Sequence, residues 1–322
     1  NCLIMIDNSD AQVAVLFPCY NEEHAIAGVI MSYKQALPKV KIYVYDNNSS
    51  DRTAEIAAET GAIVRTEIRQ GKGNVVRQMF SDIDADIYVL ADGDGTYSAD
   101  DAQKLISTLQ QNQLDMVVGR RKDIHVDAGR VGHAAGNTIF NFLFRLMFTE
   151  GFTDIFSGYH VFSCRFVKSF PALSTGFEIE TELSVHTLIL KLPFTEVEVS
   201  YGQRIEGSLS KLSTFRDGIK IFYAFVLLMK EVNPFVFFNY MALWALALSI
   251  WFGFPVIAEY FKDGYVTQIP RWILSVGMLT ATFVMFVVGL ILDSVARGRT
   301  EQKRIAYLAV PPNNRIFEKA EN

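Results

Sequence analysis

Apolar positions fall into two regimes along the chain. In the first, short apolar runs alternate with helix-like stretches. Gln12–Tyr20 reads QVAVLFPCY, a run ended by Pro18 that suits a buried strand. Glu22–Ala36 has the composition of a helix, and KIYVY at Lys41–Tyr45 alternates before the turn-rich DNNSSD. The pattern then predicts a helix over Thr53–Thr60, a strand over Ala62–Thr66, a helix over Gly73–Ile83 and a strand over Ile87–Ala91. A helix over Asp100–Asn112 and a strand over Met116–Gly119 follow. Such alternation implies an α/β domain with a mainly parallel sheet covered on both faces. Ligands of these sheets bind at the carboxyl ends of the strands. The unusual residues lie there: Pro18–Glu23, Asp46–Asp51 and Asp92–Tyr97.

The second regime is continuous. Phe235–Phe261 has Glu259 as its one ionisable side chain, and Trp272–Leu292 has none. A bilayer core of about 30 Å needs roughly 20 apolar residues as helix, so both runs qualify as spans. Buried helices of a soluble core rarely run that long without a charge. KDGYVTQIPR between them makes the pair a hairpin, with Tyr260 and Trp272 suited to the interface. Arg297, Arg299, Lys303 and Arg304 after it, and Lys220 and Lys230 before it, place both ends in the cytoplasm; Lys262 and Arg271 in the turn narrow that margin. The expected organisation is a catalytic domain at 1–212, an interfacial helix at 213–233, two transmembrane helices within 234–293 (about 235–261 and 272–292) and a cytoplasmic tail at 294–322. Thr138–Phe148 and Thr214–Lys230 suit helices lying in the membrane interface, although core packing explains the first equally well. No cleaved signal peptide is expected at the start of the sequence.

Composition narrows the classes. Of 322 residues, 50% are hydrophobic and 20% charged, with a mean hydropathy of +0.18, which excludes a disordered chain. A net charge of −5 excludes a wholesale basic nucleic-acid binder. Cys2, Cys19 and Cys164 are odd in number and lack metal-ligand spacing, so neither a disulfide framework nor a structural zinc is expected, and a reducing setting fits.

Asp92 and Asp94, in ADGDGTY, are carboxylates one residue apart at a strand end, with glycines removing bulk beside them. Hard oxygen ligands in this arrangement suit Mg²⁺ or Mn²⁺ on a substrate phosphate, whereas a lone D-G-D is more simply a solvated turn. Asp46 at a neighbouring strand end shifts the balance, since helix capping explains Ser50 or Asp51 but not Asp46. QGKGNVVRQ, from Gln70, opens a helix whose free amides, with Lys72 and Arg77, could hold phosphate. It has neither Walker A nor G-x-G-x-x-G spacing, and an ordinary helix start explains it as well.

Taken together, FPCYNEE, YDNNSSDRT, QGKGNVVRQ and ADGDGTY stand in the order and spacing of family 2 glycosyltransferases, which have the GT-A fold. VVGRR, TDIFSGYHVFS, GFEIETEL and YGQRIEGSLSKLSTFRDGIKI resemble the polyprenyl-phosphate branch, which includes dolichyl-phosphate mannose and glucose synthases and bactoprenol glucosyltransferases. The resemblance covers most of Val13–Ile221, with D-G-D where many members have D-A-D. It implies that Pro18, Tyr20, Asn21 and Glu22 line the base and ribose, that Asp46 contacts the base or ribose, and that Lys72 lies close to the nucleotide. It places Asp92 against the nucleotide, Asp94 on the metal, and Asp154 near the reacting sugar carbon. It also sets Glu178 and Glu180, in GFEIETEL, at the start of a helix near the site; the alternative is that they are N-terminal helix acids favoured by the dipole.

The implied activity is metal-dependent, inverting transfer of one sugar from a nucleotide-diphosphate donor, a UDP-sugar before GDP-mannose, to polyprenyl phosphate. A lipid phosphate is anionic at neutral pH and attacks unaided, so Asp154 would position rather than deprotonate. Arg120, Arg130, Arg204 and Lys211 would hold the acceptor phosphate, or serve as surface charges. Alternatives are a transferase acting on a hydroxyl lipid or a glycan, and a nonenzymatic nucleotide-binding scaffold; intact Asp46, Asp92, Asp94 and Asp154 speak against the last. Expected partners are the donor, the lipid acceptor and the bilayer, with symmetric self-assembly through the hairpin also in view.

Overall fold

The computed structural model describes residues 11–122, 151–176, 178–202, 226–227 and 229–311. The chain divides into two compact units, Asn1–Ile219 with Lys303–Asn322, and Lys220–Gln302.

The first unit runs β1 (Val13–Cys19), α1 (Ile26–Ala36), β2 (Lys41–Asp46), α2 (Thr53–Glu59), β3 (Ile63–Thr66), α3 (Lys72–Asp82), β4 (Ile87–Leu90), α4 (Asp100–Gln111) and β5 (Met116–Arg121). After residues outside the description come β6 (His160–Ser163), α5 (Cys164–Ser169), α6 (Glu178–Leu190) and β7 (Phe194–Val199). The sheet order is β3-β2-β1-β4-β6-β5-β7. All neighbours are parallel except where β6 lies antiparallel between β4 and β5. A mainly parallel sheet is therefore observed; the antiparallel β6, like α5 and β7, lies beyond the elements that alternation predicted.

Central strands are covered on both faces, which is why VAVLFPC and IYVL read as continuous apolar runs rather than alternating ones. Edge strand β3 is mostly exposed. On one face, α4 buries Ala102, Leu105, Ile106 and Leu109 at helical spacing, while Asp100 and Asp101 sit in its first turn, where the dipole favours acids. There Phe17 meets Tyr33 edge-on at 5.0 Å. On the other face, Phe80 packs edge-on with Tyr88, Phe162 and Phe170. Helix α1 begins at Ile26 rather than Glu22, because the carbonyl of Glu22 accepts from the amides of Ala25 and Ile26 to form the entering turn.

The last described helical turns belong to this unit. Tyr307 Oη donates to Asp115 Oδ2 at 2.7 Å, and Ser163 Oγ donates to Asp115 Oδ1 at 2.6 Å. The Arg165 guanidinium lies 3.9 Å from the Tyr307 ring centroid, and its Nε donates to the Tyr307 carbonyl.

In the second unit, α7 (Pro234–Asp263) and α8 (Ile269–Ala309) are both long and apolar enough to cross a membrane. Small residues Ala242, Ala245, Ser249 and Gly253 of α7 are buried. Ser249 and Ser275 exchange hydroxyl-to-carbonyl hydrogen bonds of 2.9 and 2.8 Å, and a Cβ on Gly253 would lie 2.4 Å from Ser275 Oγ. Close approach through small residues and hydroxyls is how apolar helices associate without a hydrophobic driving force. Helix α8 continues past Leu292 through the basic stretch expected as tail, with Asp293 and Arg297 paired one turn apart.

Candidate active site

The carboxyl ends of β1, β2 and β4 meet at one edge of the sheet, as the register pairing Cys19 with Asp46 and Leu16 with Leu90 requires. The chain leaves β1 through Asn21, whose φ of 53° is left-handed, a conformation asparagine tolerates. Its amide donates to Ser49 Oγ at 2.9 Å and its Oδ1 accepts from Ser50 N at 2.8 Å. The Glu22 amide donates to Thr53 Oγ1 at 2.8 Å. The β1 and β2 loops are thus stitched together before any ligand is considered.

Asp46 is buried. Its Oδ2 accepts from Ser49 N at 3.1 Å, while its Oδ1 is buried with no hydrogen-bond partner among the described residues. A buried polar atom without a partner is costly, and at a ligand-binding edge it marks where a ligand donor belongs. Asn47 clamps the next loop: Nδ2 donates to the carbonyls of Glu67 and Arg69, and Oδ1 accepts from Gly71 N at 2.7 Å. Capping by DNNSSD did not single out Asn47; only its long-range partners do.

Lys72, at the start of α3, donates to Asp92 Oδ1 and to Glu180 Oε1 at 2.6 Å each. Burial works against its charge, but the carboxylates of Asp92 and Glu180 outweigh it and raise its pKa. Burial pushes Glu180 up to about 7, partly opposed by the Lys72 charge. Asp94 is buried, and its Oδ1 accepts from the Thr96 amide at 3.1 Å and the Thr96 hydroxyl at 2.6 Å. A Cβ on Gly158 would fall 2.3 Å from Asp92 Oδ2, so the glycine of FSGYH makes room for that carboxylate. A Cβ on Gly93 would fall 2.4 Å from Cys19 Sγ. The cysteine of FPCYNEE occupies the space an alanine methyl would need, which accounts for D-G-D in this chain.

At the end of β5, Arg121 forms a two-pronged pair with Asp154: Nε to Oδ2 at 2.8 Å and Nη2 to Oδ1 at 2.7 Å. Burial disfavours the Arg121 charge, but its bonds to Asp154 raise its pKa above the ordinary value. Glu196 of β7 accepts from the amides of Thr153 and Asp154, fixing the turn that carries Asp154.

The sequence pattern that defines Glycosyl transferase family 2 matches residues 14–170, which include every carboxylate just described except Glu180 and Glu196. Glycosyltransferase AglJ of Haloferax volcanii is 31% identical over 299 residues, covering 92% of this chain and 98% of its own. The chain belongs to glycosyl transferase family 2. Protein RfbJ of Shigella flexneri is 56% identical to this family 2 glycosyltransferase over 111 residues, 34% of this chain and 86% of its own. Among solved structures, glucosyl-3-phosphoglycerate synthase from Mycobacterium tuberculosis, in complex with Mn²⁺, uridine-diphosphate and glucosyl-3-phosphoglycerate, superposes with a TM-score of 0.55 at 22% identity. That match covers 68% of this chain and 81% of the mycobacterial one, and shows the shared GT-A fold.

In this family 2 glycosyltransferase, Pro18, Tyr20, Asn21, Glu22, Asp46, Asp92 and Asp94 lie at the β1, β2 and β4 ends, with Lys72 on Asp92. Arg120 departs from expectation. It pairs with Glu198 directly across the β5–β7 ladder, half exposed, while strand alternation turns Arg121 to Asp154. The QGKG turn departs too. Gly73 N donates to Gly176 O and Asn74 N to Thr175 O, so protein carbonyls take the amides expected for phosphate. Arg130, Arg204 and Lys211 lie outside the described residues, as do Thr138–Phe148 and positions 203–225.

Proposed function

We propose that the chain transfers one hexose or N-acetylhexosamine from a nucleotide-diphosphate sugar, a UDP-sugar before GDP-mannose, to polyprenyl phosphate, inverting the anomeric carbon. The observation that carries this reading is the engagement of Asp154. Both of its oxygens accept from the Arg121 guanidinium and its side chain is 1% exposed. A hydroxyl acceptor, with a pKa far above neutrality, needs a general base. A carboxylate committed to a guanidinium fork is poorly placed to serve as one. A phosphate acceptor needs none, and its requirement is cationic. Arg130, Arg204 and Lys211 are the cations proposed to meet it.

On this reading the unpartnered Oδ1 of Asp46 accepts a donor group of the base or ribose. Asp92 and Asp94 would hold Mg²⁺ or Mn²⁺. Among the described residues no three His, Cys, Asp or Glu side chains converge on a metal position. The donor set fits a cation held by one or two carboxylates and completed by substrate phosphate. Such a cation, when bound, neutralises the departing nucleoside diphosphate. The mycobacterial enzyme solved with Mn²⁺ and uridine-diphosphate supports both the metal and the nucleotide class.

The lipid acceptor is supported by the helices. Only 28% and 11% of their most apolar windows are buried, where core helices of a soluble protein would be mostly covered. Trp244, Trp251, Phe254 and Phe283 are exposed along them. The hairpin would span the membrane with both ends cytoplasmic, as the flanking Arg and Lys residues favour.

The test is transfer in detergent by wild type and Asp94→Asn, with Mg²⁺ or Mn²⁺. UDP-glucose, UDP-N-acetylglucosamine and GDP-mannose are offered separately, each with a short polyprenyl phosphate. One donor consumed only with lipid phosphate present, and not by Asp94→Asn, is the expected result. Turnover with a hydroxyl lipid but none with lipid phosphate would refute it.

A further inference from the structure

Glu180 lies outside the family pattern's match, in the first turn of α6, yet it is built into the site. Its side chain is 8% exposed and that of Lys72 is 7% exposed, so the two meet away from water. The backbone around them leaves little slack. A Cβ on Gly71 would fall 2.1 Å from the Thr175 carbonyl oxygen, and one on Gly73 would fall 2.2 Å from that of Ser174. The turn opening α3 is therefore seated flush on the segment leading into α6. The hydrogen bonds from Gly73 to Gly176 and from Asn74 to Thr175 lock that seat. Lys72 and Glu180 are thus brought together by fixed main chain rather than by chance rotamers. On its other side the ammonium meets Asp92 Oδ1, while Gly158 leaves Asp92 Oδ2 only a narrow place.

An ammonium has three donors and a flexible stem, so its direction is set by its partners. Were Asp92 its sole carboxylate, Lys72 could follow that side chain wherever it moved. Glu180 supplies a second fixed point. We infer that Glu180 is a positioning residue of the donor site, holding Lys72 so that its ammonium stays aimed between Asp92 and the nucleotide diphosphate. The inference rests on the proposed function, which sets Asp92 and Lys72 beside the donor, and it adds a residue that no dipole argument for an acidic helix start would require.

The test is a double-mutant cycle on UDP binding. Calorimetry is run on the full-length protein in detergent with Mn²⁺, using wild type, Lys72→Met, Glu180→Ala, Glu180→Gln and the double variant Lys72→Met with Glu180→Ala. Glu180→Ala is expected to weaken UDP binding about tenfold, the worth of one charge-assisted hydrogen bond. Glu180→Gln, which keeps an oxygen on Lys72, is expected to recover most of that loss. The double variant should bind UDP no more weakly than Lys72→Met, because Glu180 acts only through Lys72. It leaves no unpaired buried ammonium, so this comparison stands even where Glu180→Ala alone does not fold. A purely structural role would lower the melting temperature and leave the UDP affinity of the folded protein unchanged. Wild-type affinity in Glu180→Ala, or independent additive losses in the double variant, would overturn the inference alone. Wild type binding neither UDP nor GDP would overturn the donor reading itself, and this inference with it.

Discussion

Adjacent arginines on β5 offer a sharp contrast. Arg121 pairs with Asp154, with side-chain exposures of 15% and 1%. Arg120 pairs with Glu198, at 40% and 50%. Replacing Asp154 by Asn keeps the shape but removes the charge opposing a buried guanidinium. Breaking one side of a buried pair costs about 3–5 kcal/mol. At roughly 2–4 °C per kcal/mol for a domain of this size, the melting temperature should fall by roughly 6–20 °C. Arg120→Met breaks a surface pair worth about 0–1 kcal/mol, so its melting temperature should shift by less than about 4 °C. Arg121→Met with Asp154→Leu removes both charges together and should recover much of the single-variant loss. The assay is thermal unfolding in detergent followed by intrinsic fluorescence, with transfer rates measured on each variant that folds. An Asp154→Asn variant that melts like wild type would refute the argument. Asp154 would then be free of its counter-charge, and its exclusion as a general base would lose its footing.

The packing of Cys19 on Gly93 predicts that Gly93→Ala destabilises by about 1–3 kcal/mol through overpacking. Adding Cys19→Ala should rescue it, because the nearest remaining atom to the new methyl, Ile26 Cδ1, is 3.6 Å away; a double variant no more stable than the single one would count against this. His160 is buried, with neither ring nitrogen partnered among the described residues, and burial, with the Lys72 charge, lowers its pKa to about 3. The unfolded chain therefore takes up this proton first, and stability falls as pH drops from about 6.5 toward 3, by on the order of 4–5 kcal/mol. His160→Phe should flatten that limb of a stability–pH profile, and an unchanged slope would refute the assignment. Tyr307→Phe removes the hydroxyl that Asp115 accepts from. It should cost about 1–3 kcal/mol in a denaturant melt, whereas a silent substitution would mean that the end of α8 does not stabilise the catalytic unit.

Much of this was legible in the order of residues. Alternating apolar runs and helical stretches implied a mainly parallel sheet, because a strand buried on both faces must be apolar throughout. The long uncharged runs implied helices able to cross a bilayer, since length and composition alone set that ability. Carboxylates at strand ends were conspicuous at Asp46, Asp92 and Asp94, because helix capping did not explain Asp46 and its presence at a neighbouring strand end weighed against a mere D-G-D turn. Partnership was not legible. Whether Arg120 or Arg121 turns inward depends on strand parity in β5, and which carboxylate it meets depends on a residue 33 positions away. The glycines of QGKG read as an opening for phosphate, yet the fold seats them on the loop before α6, a contact about a hundred residues distant along the chain. Glu180 could be read as a near-site acid or as an ordinary acid in a helix's first turn, and only the fold set Lys72 against it. Local sequence carries periodicity and propensity, which decide elements; charge pairing and close backbone approach are properties of distant segments brought together, and only tertiary structure decides them.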